Sequence, residues 1–124
     1  MKVKLNILKI VITAFLFLSF SKQAEAQIYS TSEAVYHLEE YAKVKGTVYE
    51  VYISRKGTIF LDIDGNYPNN PFSGVIFNSY APNFTNVKKY EGKEVVISGK
   101  IKKYKGKAEI IITTPKQIKI IEKE

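Results

Sequence analysis

The chain of 124 residues contains no cysteine, no tryptophan, one histidine (His37) and one arginine (Arg55). Without cysteine there is no disulfide, no thiolate nucleophile and no lipid-modified N-terminal Cys. His37 has no cysteine to share a metal with and reads as a surface or packing residue. Close acidic pairs are also scarce. Asp62-Ile63-Asp64-Gly65-Asn66 looks superficially like a calcium loop, but its twelfth position is Ser73 where a Glu is required, so turn formation explains it better. No histidine-based or metal-dependent hydrolase can be assembled from this inventory. The expectation is a protein that is not an enzyme and holds no metal and no cofactor.

Long apolar runs are limited to one, Ile10 to Phe20, preceded by Lys2, Lys4 and Lys9 and followed by Ala24-Glu25-Ala26. It is shorter than the roughly 20 residues that span a bilayer, and the small-residue site after it marks a signal peptide over residues 1–26. The product would be exported, periplasmic or secreted, with no membrane attachment after cleavage. Residues 27–124 then form a single domain near the common size. Losing four Lys and one Glu takes the 19 basic and 12 acidic residues to 15 and 11, a net charge of +4. At that moderate charge, placement matters more than the total.

What is present is β-patterning. Ser30 to Tyr41 predicts a short helix, capped by Thr31 or Ser32, with Ala34, Val35, Leu38 and Tyr41 roughly on one face. From Ala42 the period becomes two. Val44, Gly46 and Val48 share a side, and a phase slip then lets Val51 and Ile53 resume it, which predicts a β-bulge and a sharply bent first strand. Arg55-Lys56-Gly57 makes a turn, and Thr58 to Ile63 is the second strand. Asp64 to Pro71 is a loop by its turn residues, Phe72 to Phe77 a third strand, and Pro82 to Tyr90 a short helix or irregular connection. Glu94 to Lys102 and Ala108 to Thr113 are strands four and five, with Gly99 at a core-facing position, and Gln117 to Ile121 adds a short terminal strand. These elements predict an all-β, five-stranded OB-fold barrel of Greek-key type. A β-sandwich would normally want seven or more strands.

Several stretches carry a family likeness. They are Gly46-Thr47-Val48, Gly57-Thr58-Ile59-Phe60-Leu61, Tyr67-Pro68 before Phe72, Val75-Ile76-Phe77, Tyr90-Glu91-Gly92-Lys93, Gly99-Lys100-Ile101 and Tyr104 to Ile110. Through them the chain resembles the OB-fold nucleic-acid-binding modules that accompany nuclease domains in secreted bacterial nucleases. The resemblance runs from about Ala34 to Ile118 and implies a nucleic-acid partner. The expectation is that no nuclease domain is attached and that any such enzyme is a separate protein.

OB-folds bind ligands over strands two and three, between the loops joining strands one to two and four to five. Here those loops are Ser54-Arg55-Lys56-Gly57 and Lys103-Tyr104-Lys105-Gly106-Lys107, both basic. The expected nucleic-acid-binding residues are therefore Arg55, Lys56, Lys103, Lys105 and Lys107 at the loops, with Lys100 and Lys102 extending the basic track. Phe60, Tyr49, Tyr52 and Tyr104 would stack bases. The expectation is that the two loops converge beside an open aromatic patch on a monomer. Alternation also turns Asp62 outward. The competing reading is an exported OB-fold module for a small molecule, an oligosaccharide or an envelope protein partner.

Overall fold

β-branched and aromatic residues at alternate positions draw seven segments into strands. The computed structural model describes residues 26–123, so the signal-peptide segment lies outside the described residues except for Ala26. The strands are β1 (Ile28–Ser30), β2 (Tyr41–Ile53), β3 (Ile59–Ile63), β4 (Phe72–Ile76), β5 (Glu94–Tyr104), β6 (Lys107–Ile111) and β7 (Ile118–Ile120).

β2 and β5 are long because each serves two neighbours. β2 pairs antiparallel with β5 over Tyr41–Thr47 and with β3 over Val48–Ile53. β5 lies against β2 as far as Lys100, then against β6 from Ile101 to Tyr104. Each strand bends where it changes partner. In β2 the register shifts between Val48 and Glu50, leaving Tyr49 unopposed at the predicted bulge. In β5 the change falls beside Gly99, where a Cβ would come within 2.6 Å of Cγ2 of Ile110. No side chain fits there.

β3 pairs antiparallel with β4, β4 parallel with β6, β6 antiparallel with β5, and β5 returns to β2. β1 adds in parallel outside β2, and β7 adds antiparallel outside β5. The inward rows fill with Val48, Val51, Leu61, Phe72, Ile97 and Ile110, all buried.

Two expectations change. There are seven strands where the sequence predicts five and a short terminal one, because β1 has only three residues and shows no alternation to read. The predicted helix over Ser30–Tyr41 shrinks to a single 3-10 turn, Ala34–Tyr36. The reason is local. Thr31 Oγ1 does not cap that turn but donates to Asp64 Oδ2 (2.6 Å), and Glu39 adopts a left-handed φ of 70° that stops helical growth. His37 stacks on Tyr29 with ring centroids 3.8 Å apart, which fits its reading as a packing residue.

The connection between β4 and β5 holds two 3-10 turns, Ala81–Asn83 and Val87–Tyr90, as the irregular segment predicted. The second turn covers the edge of β2 that β5 leaves open. Val48 exchanges backbone bonds with Lys93 and Gly92 (2.9 and 2.8 Å). The Val51 N–H donates to Glu91 Oε1 (3.0 Å), and the Lys88 ammonium donates to the Val51 carbonyl.

Candidate nucleic-acid interface

The register across β2, β3, β4 and β6 sorts the outward side chains into rows. One row opposes Tyr52 to Phe60, Phe60 to Val75 and Val75 to Ile111. It is aromatic at one end and aliphatic at the other. Phe60 is half-buried, so no other segment seals it, and it stacks with the exposed Tyr52 at a centroid distance of 6.3 Å. The bulge leaves the exposed Tyr49 three residues before Tyr52, next to Glu50 and not stacked on this pair.

The next row opposes Glu50 to Asp62, Asp62 to Ser73, Ser73 to Glu109 and Glu109 to Lys102. Three carboxylates thus cross the middle of the expected ligand face. Asp62 points outward as alternation requires, and only 4 % of it is exposed. Among the described residues no side chain or backbone group is hydrogen-bonded to its carboxylate, and no sealed side-chain oxygen lacks a partner, so the Asp62 oxygens keep a narrow opening to solvent. Burial pushes its pKa above the usual carboxylate range, Glu50 adds to the rise, and Lys107 opposes it. Burial also raises the carboxyl of Glu109. Sequence reasoning missed Glu50 and Glu109, although the bulge parity and the Ala108–Ile110 alternation both place them outward.

The loop from Asp64 to Pro71 closes one end of the face, and it is firmly pinned. Asp64 Oδ1 accepts from the Thr47 N–H (2.8 Å), while Oδ2 accepts from Thr31. The buried Asn70 donates to the Phe72 carbonyl (2.9 Å) and the Ser73 hydroxyl (2.8 Å). Its Oδ1 accepts from Lys107 Nζ (2.5 Å), which also donates to the Pro68 carbonyl (3.0 Å) and lies 5.2 Å from the centre of the Tyr67 ring. Lys107, expected at a phosphate, is a loop anchor here.

The remaining sites divide by location. Lys100 is at the opposite wall, opposite Tyr41 and 3.2 Å from Glu39 Oε2, so it does not extend the basic track. Lys102 lies on the face, beside Glu109. Lys103, Tyr104 and Lys105 are exposed at the β5–β6 tip, with Lys105 Nζ over the Tyr104 ring at 5.4 Å. Arg55 and Lys56 are exposed at the β2–β3 tip, where Asn78 Nδ2 donates to the Lys56 carbonyl (3.1 Å). Among the described residues Arg55, Lys56, Lys102, Lys103 and Lys105 form no ion pair.

The two tips do not converge. β6 runs parallel to β4, so the β5–β6 turn meets the end of the face where β3 finishes, while the β2–β3 turn meets the end where β3 begins. Strand rise puts them about 20 Å apart. They bracket the aromatic and acidic rows from opposite ends.

No family model matches the chain, nor does any curated protein. Solved structures do. An OBody bound to hen egg-white lysozyme is similar over 83 % of this chain and 100 % of its own, with a TM-score of 0.53 and 19 % identity. A chain assigned as an aspartyl-tRNA synthetase from Leishmania major Friedlin is similar over 84 % of this chain, with a TM-score of 0.55 and 7 % identity; the match spans 22 % of its length. At these identities the likeness concerns the fold, and that fold is an OB-fold.

Proposed function

We propose that the five mutually paired strands β2, β3, β4, β6 and β5 form an OB-fold barrel that binds nucleic acid, single strands in preference. The carrying observation is the Tyr52–Phe60 pair, open on the outer face and bracketed by two loops whose cations form no ion pair among the described residues. Bases would stack on the aromatic pair while Arg55, Lys56, Lys103 and Lys105 neutralise phosphates at either end. A gap of about 20 Å suits the four or more nucleotides that an OB-fold holds. The similarity to part of a synthetase, a protein that acts on tRNA by its name, supports the same class of ligand.

The rest of the reading follows from the sequence. The protein is exported and non-catalytic, and it works as a monomer, alone or with a separate nuclease or envelope protein. Binding tolerates different sequences and is micromolar or weaker at physiological salt, since only a few phosphates are engaged. Fluorescence anisotropy with a labelled single-stranded oligonucleotide tests it. Saturable binding at about 50 mM salt that weakens steeply as salt rises is expected. No binding there with micromolar protein removes the proposal.

One observation favours a second reading. Carboxylates between aromatics also suit an oligosaccharide or a protein partner, and the OBody is a stand-alone module bound to a protein. Binding that ignores salt would point there.

A further inference from the structure

We infer that the Glu50–Asp62–Glu109 row is a base-edge acceptor site, which makes the face prefer bases that present an amino group, with cytosine favoured over thymine. This rests on the nucleic-acid reading above. The row is the next outward one to the Tyr52–Phe60 pair, two residues along the same strands, with the inward Val51–Leu61 pair between them. A base stacked on that pair would therefore turn an edge toward the carboxylates.

Asp62 supplies the independent sign of a ligand. A structural carboxylate in a folded protein is normally hydrogen-bonded, as Asp64 is two residues away. Asp62 is almost wholly buried, has no bonded partner among the described residues, and keeps an opening to solvent. Placing it opposite Glu50 costs stability, which the attraction of Lys107 offsets only in part. Departures of this kind gather where a protein binds something. A metal is not the answer, because among the described residues no cluster of His, Cys, Asp or Glu is disposed to hold one. What fits a narrow acceptor-only opening is a single N–H donor.

Cytosine, adenine and guanine each carry an exocyclic amino group, and carboxylates accept from the cytosine one. Thymine has a carbonyl oxygen where cytosine has its amino group, and its one ring N–H is flanked by two carbonyls, so the row repels that edge. The phosphates need not approach the carboxylates, because the cations sit at the ends of the face and the acids in its middle.

The test compares labelled oligo-dC and oligo-dT of equal length with the protein at pH 7.5, by anisotropy at low salt. The two probes carry the same phosphates and rings of the same size. Oligo-dC should bind roughly fivefold to tenfold tighter, the low end of what one base-edge contact contributes. Asp62→Asn, nearly isosteric, and separately Glu109→Gln, should each shrink that ratio toward one, with circular dichroism showing the fold retained. Equal binding, or tighter binding of oligo-dT, overturns the inference and leaves the nucleic-acid reading standing. A ratio unchanged in both variants also overturns it. Failure of both probes to bind removes the nucleic-acid reading itself.

Discussion

Asp62 and Asp64 stand two residues apart at the end of one strand, yet their surroundings are opposite. Asp64 sits at an anchored corner, with both oxygens bonded, to the Thr47 N–H and the Thr31 hydroxyl. Gly46 leaves room for it, since a Cβ there would lie 2.8 Å from Asp64 Oδ2. Asp62 sits on the open face, bonded to nothing among the described residues and facing Glu50. The corner shows acidic and basic groups used for shape. The face shows them left available.

The largest effect should separate the two aspartates directly. Asp64→Ala strips the Thr47 N–H and the Thr31 hydroxyl of their acceptor, and a loss of about 2–3 kcal/mol is expected in urea unfolding. Asp62→Asn should lose nothing by the same measurement. Equal destabilisation by both would erase the distinction.

A smaller effect divides the lysines of one hairpin. Lys107→Met removes the donor to Asn70 and Pro68 and should cost about 1–2 kcal/mol. Replacing Lys103 and Lys105 together by Ala should leave unfolding unchanged. It should instead flatten the salt dependence of oligonucleotide binding, lowering the log–log slope by about 1.4 if each engages one phosphate of a single strand. A stability loss in that double variant would place those lysines with the corner.

The smallest effect is in pH. The carboxyls of Asp62 and Glu109 are raised in the folded state, so folded protein holds protons that unfolded chain releases. Their contribution to stability is full below the unfolded carboxylate range, near pH 4, and is lost as pH rises through their folded values. Urea midpoints should therefore climb modestly from pH 7 to pH 5, and Asp62→Asn should reduce the climb. Glu33, pulled down mainly by the Ser30 hydroxyl, works the other way at the surface. A wild-type midpoint that falls over this range would show the face to be less strained than its geometry implies.

Much of the scaffold was legible because alternation and glycine leave a local record. The slip after Val48 and the glycine at 99 announced both bends. The helix expected over Ser30–Tyr41 does not form because its capping hydroxyl is taken by Asp64, 33 positions away, and no local pattern carries that contact. The site was legible only in part. Phe60 and Tyr52 follow from parity, whereas the anchoring of Lys107 depends on the Asn70 loop folding back. The separation of the basic tips depends on the parallel pairing of β4 with β6, which a chain of short runs does not disclose.

Tyr49 has a significance that its own chemistry does not suggest. It is the one supernumerary residue in β2, and it sets the odd–even count for everything after it. Were it paired as an ordinary strand residue instead of bulged, inside and outside would exchange beyond it, presenting Val51 to solvent and driving Glu50 and Tyr52 inward. What the protein offers to its surroundings is thus decided by arithmetic as much as by composition.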